Sequence, residues 1–365
     1  MKVERKKIEL LEDESFYDDD SSILPPADIV AYNELRSCAD LFRMYTQNIL
    51  DIQPEFQRDI CWTPAAQTRF IDSLIKQLPI PSMCFSYDAK QQKWMVIDGL
   101  QRISTIVKFL EGGDWRLSTL NDIDSELLGK SVAEIKLPES TLHGYYTRIE
   151  NLTIPITVLR CDYSRKEHLK FLFTVFHRLN TGGMRLNNQE IRNCIYAGPF
   201  NQLLRDLDEL ESWRKINCMK PDESYRFTKQ ELILRFFAFY EEHSDYTGSL
   251  SNFLNDYMKD NQKIEEQQKG QFRDIFTRTS DFVYEKILDK KVPNKFSITI
   301  LEAIFVGVAK NLNQLDQKGK RDVKKMYSIL INHKEFSEAA LAEGLSKKQK
   351  VIDRLNAAIK IFSGK

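Results

Sequence analysis

Polar and apolar positions settle into regular periods from Ser37 onward. Ser37 can cap a helix that carries Ala39, Leu41, Phe42 and Tyr45. A short extended piece runs from Ile52 to Phe56. Thr63-Pro64 has the form of an N-cap followed by a first-turn proline, and Phe70, Ile71, Leu74, Ile75 and Leu78 follow at helical spacing until Pro79-Ile80-Pro81 stops them. Met83 to Tyr87 and Trp94 to Ile97 are predicted strands joined by a polar turn at Ala89 to Gln92. Asp98-Gly99 ends the second strand. A helix through Ile103, Ile106, Val107 and Leu110 then runs to Gly112-Gly113. One further strand, Ile154 to Leu159, completes the mixed region.

Beyond that strand the pattern is helical. Ser164 with Glu167, and Asn187 with Glu190, have capping-box spacing. Helical periods cover about 199–211, 228–242, 249–260, 268–289, 296–312, 320–333 and 345–361, without an internal repeat. The expected fold class is α+β: a small mixed core followed by a larger all-helical region. Three stretches are drawn from this pattern: an acidic, flexible tail over 1–30, a mixed core over 31–162 and a helical region over 163–365. The tail assignment rests on Asp18-Asp19-Asp20 followed by serines and Pro25-Pro26.

Composition narrows the function classes. The 365 residues are enough for two domains, and 53 basic against 53 acidic side chains give no net charge. No global field draws the chain to nucleic acid or anionic lipid, so any such role needs a local basic face. Six dispersed cysteines without a C-x-x-C pair read as small buried hydrophobes in a reducing compartment. With only five scattered histidines there is no Cys/His cluster of the kind that holds structural zinc. A charged N-terminus and the lack of a long apolar run predict a cytoplasmic protein with no membrane partner.

Three segments are candidates for chemistry. In Met95-Val96-Ile97-Asp98-Gly99-Leu100-Gln101-Arg102 a strand turns directly into a helix, whose free amides and positive dipole end suit a phosphate. Gly99 permits close approach of a ligand. Arg102 lies in the first turn, where a cation is electrostatically unwelcome unless an anion accompanies it. Asp98 can hold a metal ion or a hydroxyl. The structural alternative makes Asp98 an N-cap, Gly99 a turn residue and Arg102 a surface residue, and on spacing alone it is the stronger one. Phe56-Gln57-Arg58 with Trp62 offers planar hydrogen-bonding groups beside an aromatic, or else an ion pair and a core tryptophan. Phe176-His177-Arg178-Leu179-Asn180-Thr181-Gly182-Gly183 is a helix C-terminus with a glycine stop, or a segment whose Asn180 and Thr181 line a pocket with the other two.

Taken in order, these segments resemble the GmrSD restriction endonuclease N-terminal domain family. They read Pro54-Glu55-Phe56-Gln57-Arg58 with Trp62, then Pro79-Ile80-Pro81, then Asp98-Gly99-Leu100-Gln101-Arg102. Asn180-Thr181-Gly182-Gly183 follows, with Leu186, Glu190, Ile191 and Arg192. The resemblance covers roughly 30 to 275. It implies a ParB/sulfiredoxin-like core whose D-G-x-x-R turn handles nucleotide phosphates, in a family of anti-phage restriction components of which some hydrolyse NTPs to license DNA cleavage. Carried over by position, Asp98, Gln101 and Arg102 are the catalytic candidates, and Gly99, Gln57, Arg58, Asn180 and Thr181 the nucleotide-binding ones. Mg²⁺ and an NTP (GTP or ATP) are the implied cofactors. Nucleotide, DNA and a partner nuclease or neighbouring-gene product are the implied partners.

Leu100 replaces the first glutamine of the usual motif, which bears on hydrolysis more than on binding. Past residue 243 the only histidine is His333, in no nuclease-like setting, so no HNH site is expected in this chain. The expected function is therefore a nucleotide-binding, NTP-hydrolysing restriction component. The alternative is a non-catalytic ParB-like DNA-binding or sensor module that works with a partner.

Overall fold

The computed structural model describes residues 25–52, 62–179, 186–219, 227–291, 297–337, 340–341 and 344–364. Two compact units divide the chain at 185/186. The first is α+β and the second is helical. The division at 162/163 drawn from pattern marks the end of the last strand. By compactness, the helix after that strand groups with the sheet.

In the first unit, β1 (Val30–Ser37) leads into α1 (Cys38–Thr46), β2 (Leu50–Asp51) and α2 (Pro64–Ile75). β3 (Met83–Asp88), β4 (Lys93–Asp98) and α3 (Leu100–Glu111) follow, then α4 (Val132–Lys136), α5 (His143–Asn151), β5 (Thr153–Cys161) and α6 (Lys166–Leu179). The sheet order is β1-β5-β3-β4-β2. It is mixed: β1/β5 and β3/β4 are antiparallel, while β3/β5 and β2/β4 are parallel. Alternation sends Phe85, Val96, Ile156 and Val158 into the main cluster, which α1, α2, α3 and α5 cover with Leu41, Leu74, Ile106 and Ile149. Cys84, Met95 and Leu159 point to the opposite face and are buried too. There α6 packs against β4. Two covered faces explain why β3 and β4 read as continuous apolar runs.

Local chemistry accounts for most boundaries. Ser37 caps α1 through Asp40 N–H, and Thr63 caps α2 through Ala66 N–H with Pro64 behind it. α2 stops at Ile75, short of Pro79, and Leu78 is half exposed rather than part of the stripe. β1 was not foreseen: its residues are mostly exposed on one edge of the sheet, so they show no alternation to read. The extended piece expected over Ile52–Phe56 lies, past Ile52, outside the described residues, and the short strand Leu50–Asp51 precedes it. The tail call over 1–30 falls largely there as well, except that Val30 already pairs with Arg160. The Ser164/Glu167 capping box does not form, because α6 begins at Lys166 and Ser164 stands one residue ahead of the N-cap position; its hydroxyl donates to Asp162 Oδ1 at 2.5 Å.

The second unit contains α7 (Asn188–Ile195), α8 (Pro199–Asp208), α9 (Glu211–Ile216), α10 (Thr228–Glu242) and α11 (Leu250–Asp260). After these come α12 (Glu266–Phe282) with a π turn at Val283–Ile287, α13 (Ile298–Leu315), α14 (Lys320–Ile331) and α15 (Lys348–Ser363). The Asn187/Glu190 capping box is formed. An aromatic core of Phe200, Trp213, Phe236, Phe237, Phe276 and Phe305 packs largely edge to face. Beside it runs a buried polar chain. Asn193 donates to Gln230 at 2.9 Å, Gln189 donates to Asn193 at 3.0 Å, and Arg192 donates to Asn255 at 2.9 Å. Arg235 donates to Glu302 at 2.8 Å. These bonds satisfy groups that burial would otherwise penalise. Among the described residues, no helix is long and apolar enough to cross a membrane.

Candidate phosphate site

The site is built where β4 hands over to α3. The strands β3 and β4 are out of step by one residue at this end: Phe85 pairs with Val96, but Cys84 pairs with Asp98. Ile97 is thus the extra residue of a β-bulge, which turns the strand end immediately before Asp98. Gly99 follows at φ +98°, a left-handed conformation, and stands as the N-cap of α3. An added Cβ there would lie 2.6 Å from the Met83 Cγ. Glycine is required at this turn both for its backbone angle and for the closeness of the neighbouring strand.

Gly99 has no side chain to cap the first turn of α3, and among the described residues no side chain bonds its leading amides. The positive end of the helix dipole lies at this turn. The structural alternative for Asp98, that it caps the helix, is not what forms. Its Oδ2 accepts from Arg102 Nη2 at 2.8 Å, one turn along. Arg102 Nη1 donates to the Pro81 carbonyl. The Arg102 side chain keeps 15% of its exposure and Asp98 keeps 39%, so both remain reachable from solvent. Two bonds fix the guanidinium and leave further N–H donors for a ligand. Arg102 is not the free surface residue of the structural alternative but a held one.

Gln101 is placed differently from its neighbours. Its Oε1 accepts the Trp62 backbone N–H at 2.8 Å. Its Nε2 is buried with no hydrogen-bond partner among the described residues. An amide donor kept from water and unpaired costs about 1–3 kcal/mol, so this nitrogen is a place where an acceptor would be welcome. Trp62 itself packs edge-on against Phe70, with centroids 5.3 Å apart. Leu100, the departure from the usual motif, packs partly buried against the main cluster. It contributes to the core.

Cys84 lies beside Asp98 in the sheet. Burial, then the Asp98 charge, pushes its thiol up to about 12. It stays protonated and is no nucleophile near neutral pH. Four of the described cysteines are buried as composition suggested; Cys218 is exposed. Among the described residues there is no cluster of three or more metal-ligating side chains. Of the sequence-predicted site residues, Asp98, Gly99, Gln101 and Arg102 are brought together at one turn. Gln57, Arg58, Asn180 and Thr181 lie outside the described residues.

Sequence reasoning missed three participants: the Pro81 carbonyl, the Trp62 amide and Met83. One signal was available for the first. Pro79-Ile80-Pro81 is not needed to stop a helix that ends at Ile75, so its rigidity has another use, presenting a carbonyl to Arg102.

A mixed sheet with a glycine at the start of the helix that follows β4, and an arginine held in that helix's first turn, defines an α+β domain. Residues 38–197 match the family model of the GmrSD restriction endonuclease, N-terminal domain, and this part of the chain belongs to that family. The chain thus carries a restriction-system domain. No curated protein matches the chain.

Proposed function

We propose that the chain binds a nucleoside triphosphate at the turn between β4 and α3 and, as a cytoplasmic restriction component, uses it to license cleavage of foreign DNA by a partner nuclease. One observation carries this reading: Arg102 is held in the first turn of a helix whose N-terminus has no side-chain cap. A cation there opposes the helix dipole, and a bound phosphate would turn that conflict into attraction.

In this reading the α3 amides and Arg102 hold the phosphates, and Gly99 lets them approach the backbone. Asp98 keeps the guanidinium in place. Mg²⁺ commonly needs only one or two carboxylates when phosphates complete its shell, and Asp98 is a single, half-exposed carboxylate of that kind. Bound there, the ion would offset phosphate charge. Gln101 can donate its unpaired Nε2 to a phosphate oxygen or a water. Its Oε1 is already committed to Trp62. That commitment favours a second reading, binding without turnover, because a glutamine that orients an attacking water uses this oxygen as an acceptor.

The test is phosphate release from ATP and GTP with Mg²⁺, with and without DNA, alongside equilibrium nucleotide binding. Arg102→Ala and Asp98→Ala are each expected to lower kcat/KM at least tenfold, about 1.4 kcal/mol or more of transition-state stabilisation. Arg102→Ala should also weaken binding. Turnover unchanged in both variants removes the assignment of the site. Binding without release in the wild type selects the second reading.

A further inference from the structure

We propose that the first two turns of α14 form a docking face for the phosphate backbone of duplex DNA. Lys320, Arg321, Lys324, Lys325 and Ser328 line a shallow, open concavity of about 500 Å³. Residues four apart stack on one helix face, so Lys320/Lys324 and Arg321/Lys325 make two adjacent cationic rows. All four side chains are exposed.

The pattern is costly for the helix itself. Cations in a first turn oppose the macrodipole, and like charges at i,i+4 repel, each by a few tenths of a kcal/mol or more. α14 anchors itself through Val323 and Leu330, which any polar residues on the outer face would allow. Asp289, after the π turn, pairs with both Lys320 and Lys324 and relieves one row. Arg321 and Lys325 make no ion pair among the described residues. In a chain of zero net charge, this concentration gives the face a local positive potential that attracts anions.

A linear polyanion fits two parallel rows better than a single small ion does. Arginine grips phosphate through two N–H donors, while lysines serve as point charges. Contacts from these cations to phosphate position DNA without reading its sequence. The face belongs to the helical unit, and the proposal does not depend on nucleotide handling at β4–α3.

The experiment titrates the full chain against a short fluorescent duplex at several salt concentrations, without nucleotide. Wild type is compared with the double variant Arg321→Gln, Lys325→Gln. The expected result is binding about tenfold weaker at low salt, with a log–log salt dependence shallower by about two. The double variant should melt at an equal or slightly higher temperature, since repulsion is relieved, which separates lost binding from lost fold. Arg102→Ala should bind the duplex as wild type does, so failure of the nucleotide reading leaves this one standing. Either an unchanged salt slope in the double variant or no duplex binding by wild type overturns the proposal. So does binding to vesicles of anionic lipid when the duplex is not bound.

Discussion

At the residue scale, Gly99 is where sequence, backbone and site meet. The turn needs φ +98°, and the Met83 side chain fills the space a Cβ would take. Gly99→Ala is expected to destabilise the fold by about 2–4 kcal/mol, combining left-handed strain with overpacking. Urea unfolding gives the loss directly. Because the obstacle is a flexible side chain, part of the loss should return when Met83 is also shortened: Gly99→Ala and Met83→Ala should be less than additive, by about 1 kcal/mol. Strict additivity would refute the steric half of the argument. The identity of Asp98, Gly99 and Arg102 as neighbours of one turn was legible in the sequence, because strand-to-helix punctuation is local. Their partners were not. Pro81 and Trp62 reach the turn through tertiary packing, and the bulge at Ile97 depends on pairing with β3, which no local pattern encodes.

At the scale of elements, capping chemistry was the most readable signal. Ser37, Thr63-Pro64 and Asn187 with Glu190 all stand where their side chains satisfy first-turn amides. Ser164 shows the limit of that signal, since the helix starts at Lys166, one residue too late for Ser164 to be its N-cap. α4 was missed because five residues are too few for a period to establish itself, and α5 because it starts without a side-chain cap and buries only Tyr146 and Ile149. Propensity also misleads at Gly307, inside α13. Taken alone, Gly→Ala in a helix interior should stabilise by about 1 kcal/mol. Here an added Cβ would sit 2.7 Å from Phe362 and 2.9 Å from the Ala358 carbonyl oxygen of α15. Asn311 bridges the same pair of helices by donating to the Gly307 and Ile359 carbonyls, each at 2.9 Å. A backbone oxygen in that position cannot rotate aside. Gly307→Ala is therefore expected to lower stability by about 1–3 kcal/mol, seen as a lower urea midpoint with an unchanged slope. A raised midpoint would mean that the two helices do not depend on close approach at this point.

At the scale of the whole molecule, balanced charge shapes how stability responds to pH. With 53 positive and 53 negative side chains, self-repulsion contributes little near neutrality. Individual groups then dominate, and Asp208 is a strong case. It ends α8, accepts from Trp213 Nε1 at 3.1 Å, and burial raises its carboxyl from 3.8 to about 6 despite that bond. The folded state holds the Asp208 proton to higher pH than the unfolded chain does. Between about pH 4 and pH 6 the native protein therefore binds more protons, and this group makes stability fall as pH rises through that window. Asparagine keeps the acceptor for Trp213 and removes the ionisation. Asp208→Asn should match wild type below about pH 4 and exceed it above pH 6, by at most about 3 kcal/mol. Thermal melts of the two proteins across pH 4 to 8 measure this as a difference, in which the five histidines common to both cancel. A gap that stays constant with pH would show that the Asp208 carboxyl ionises as readily in the folded chain as in the unfolded one.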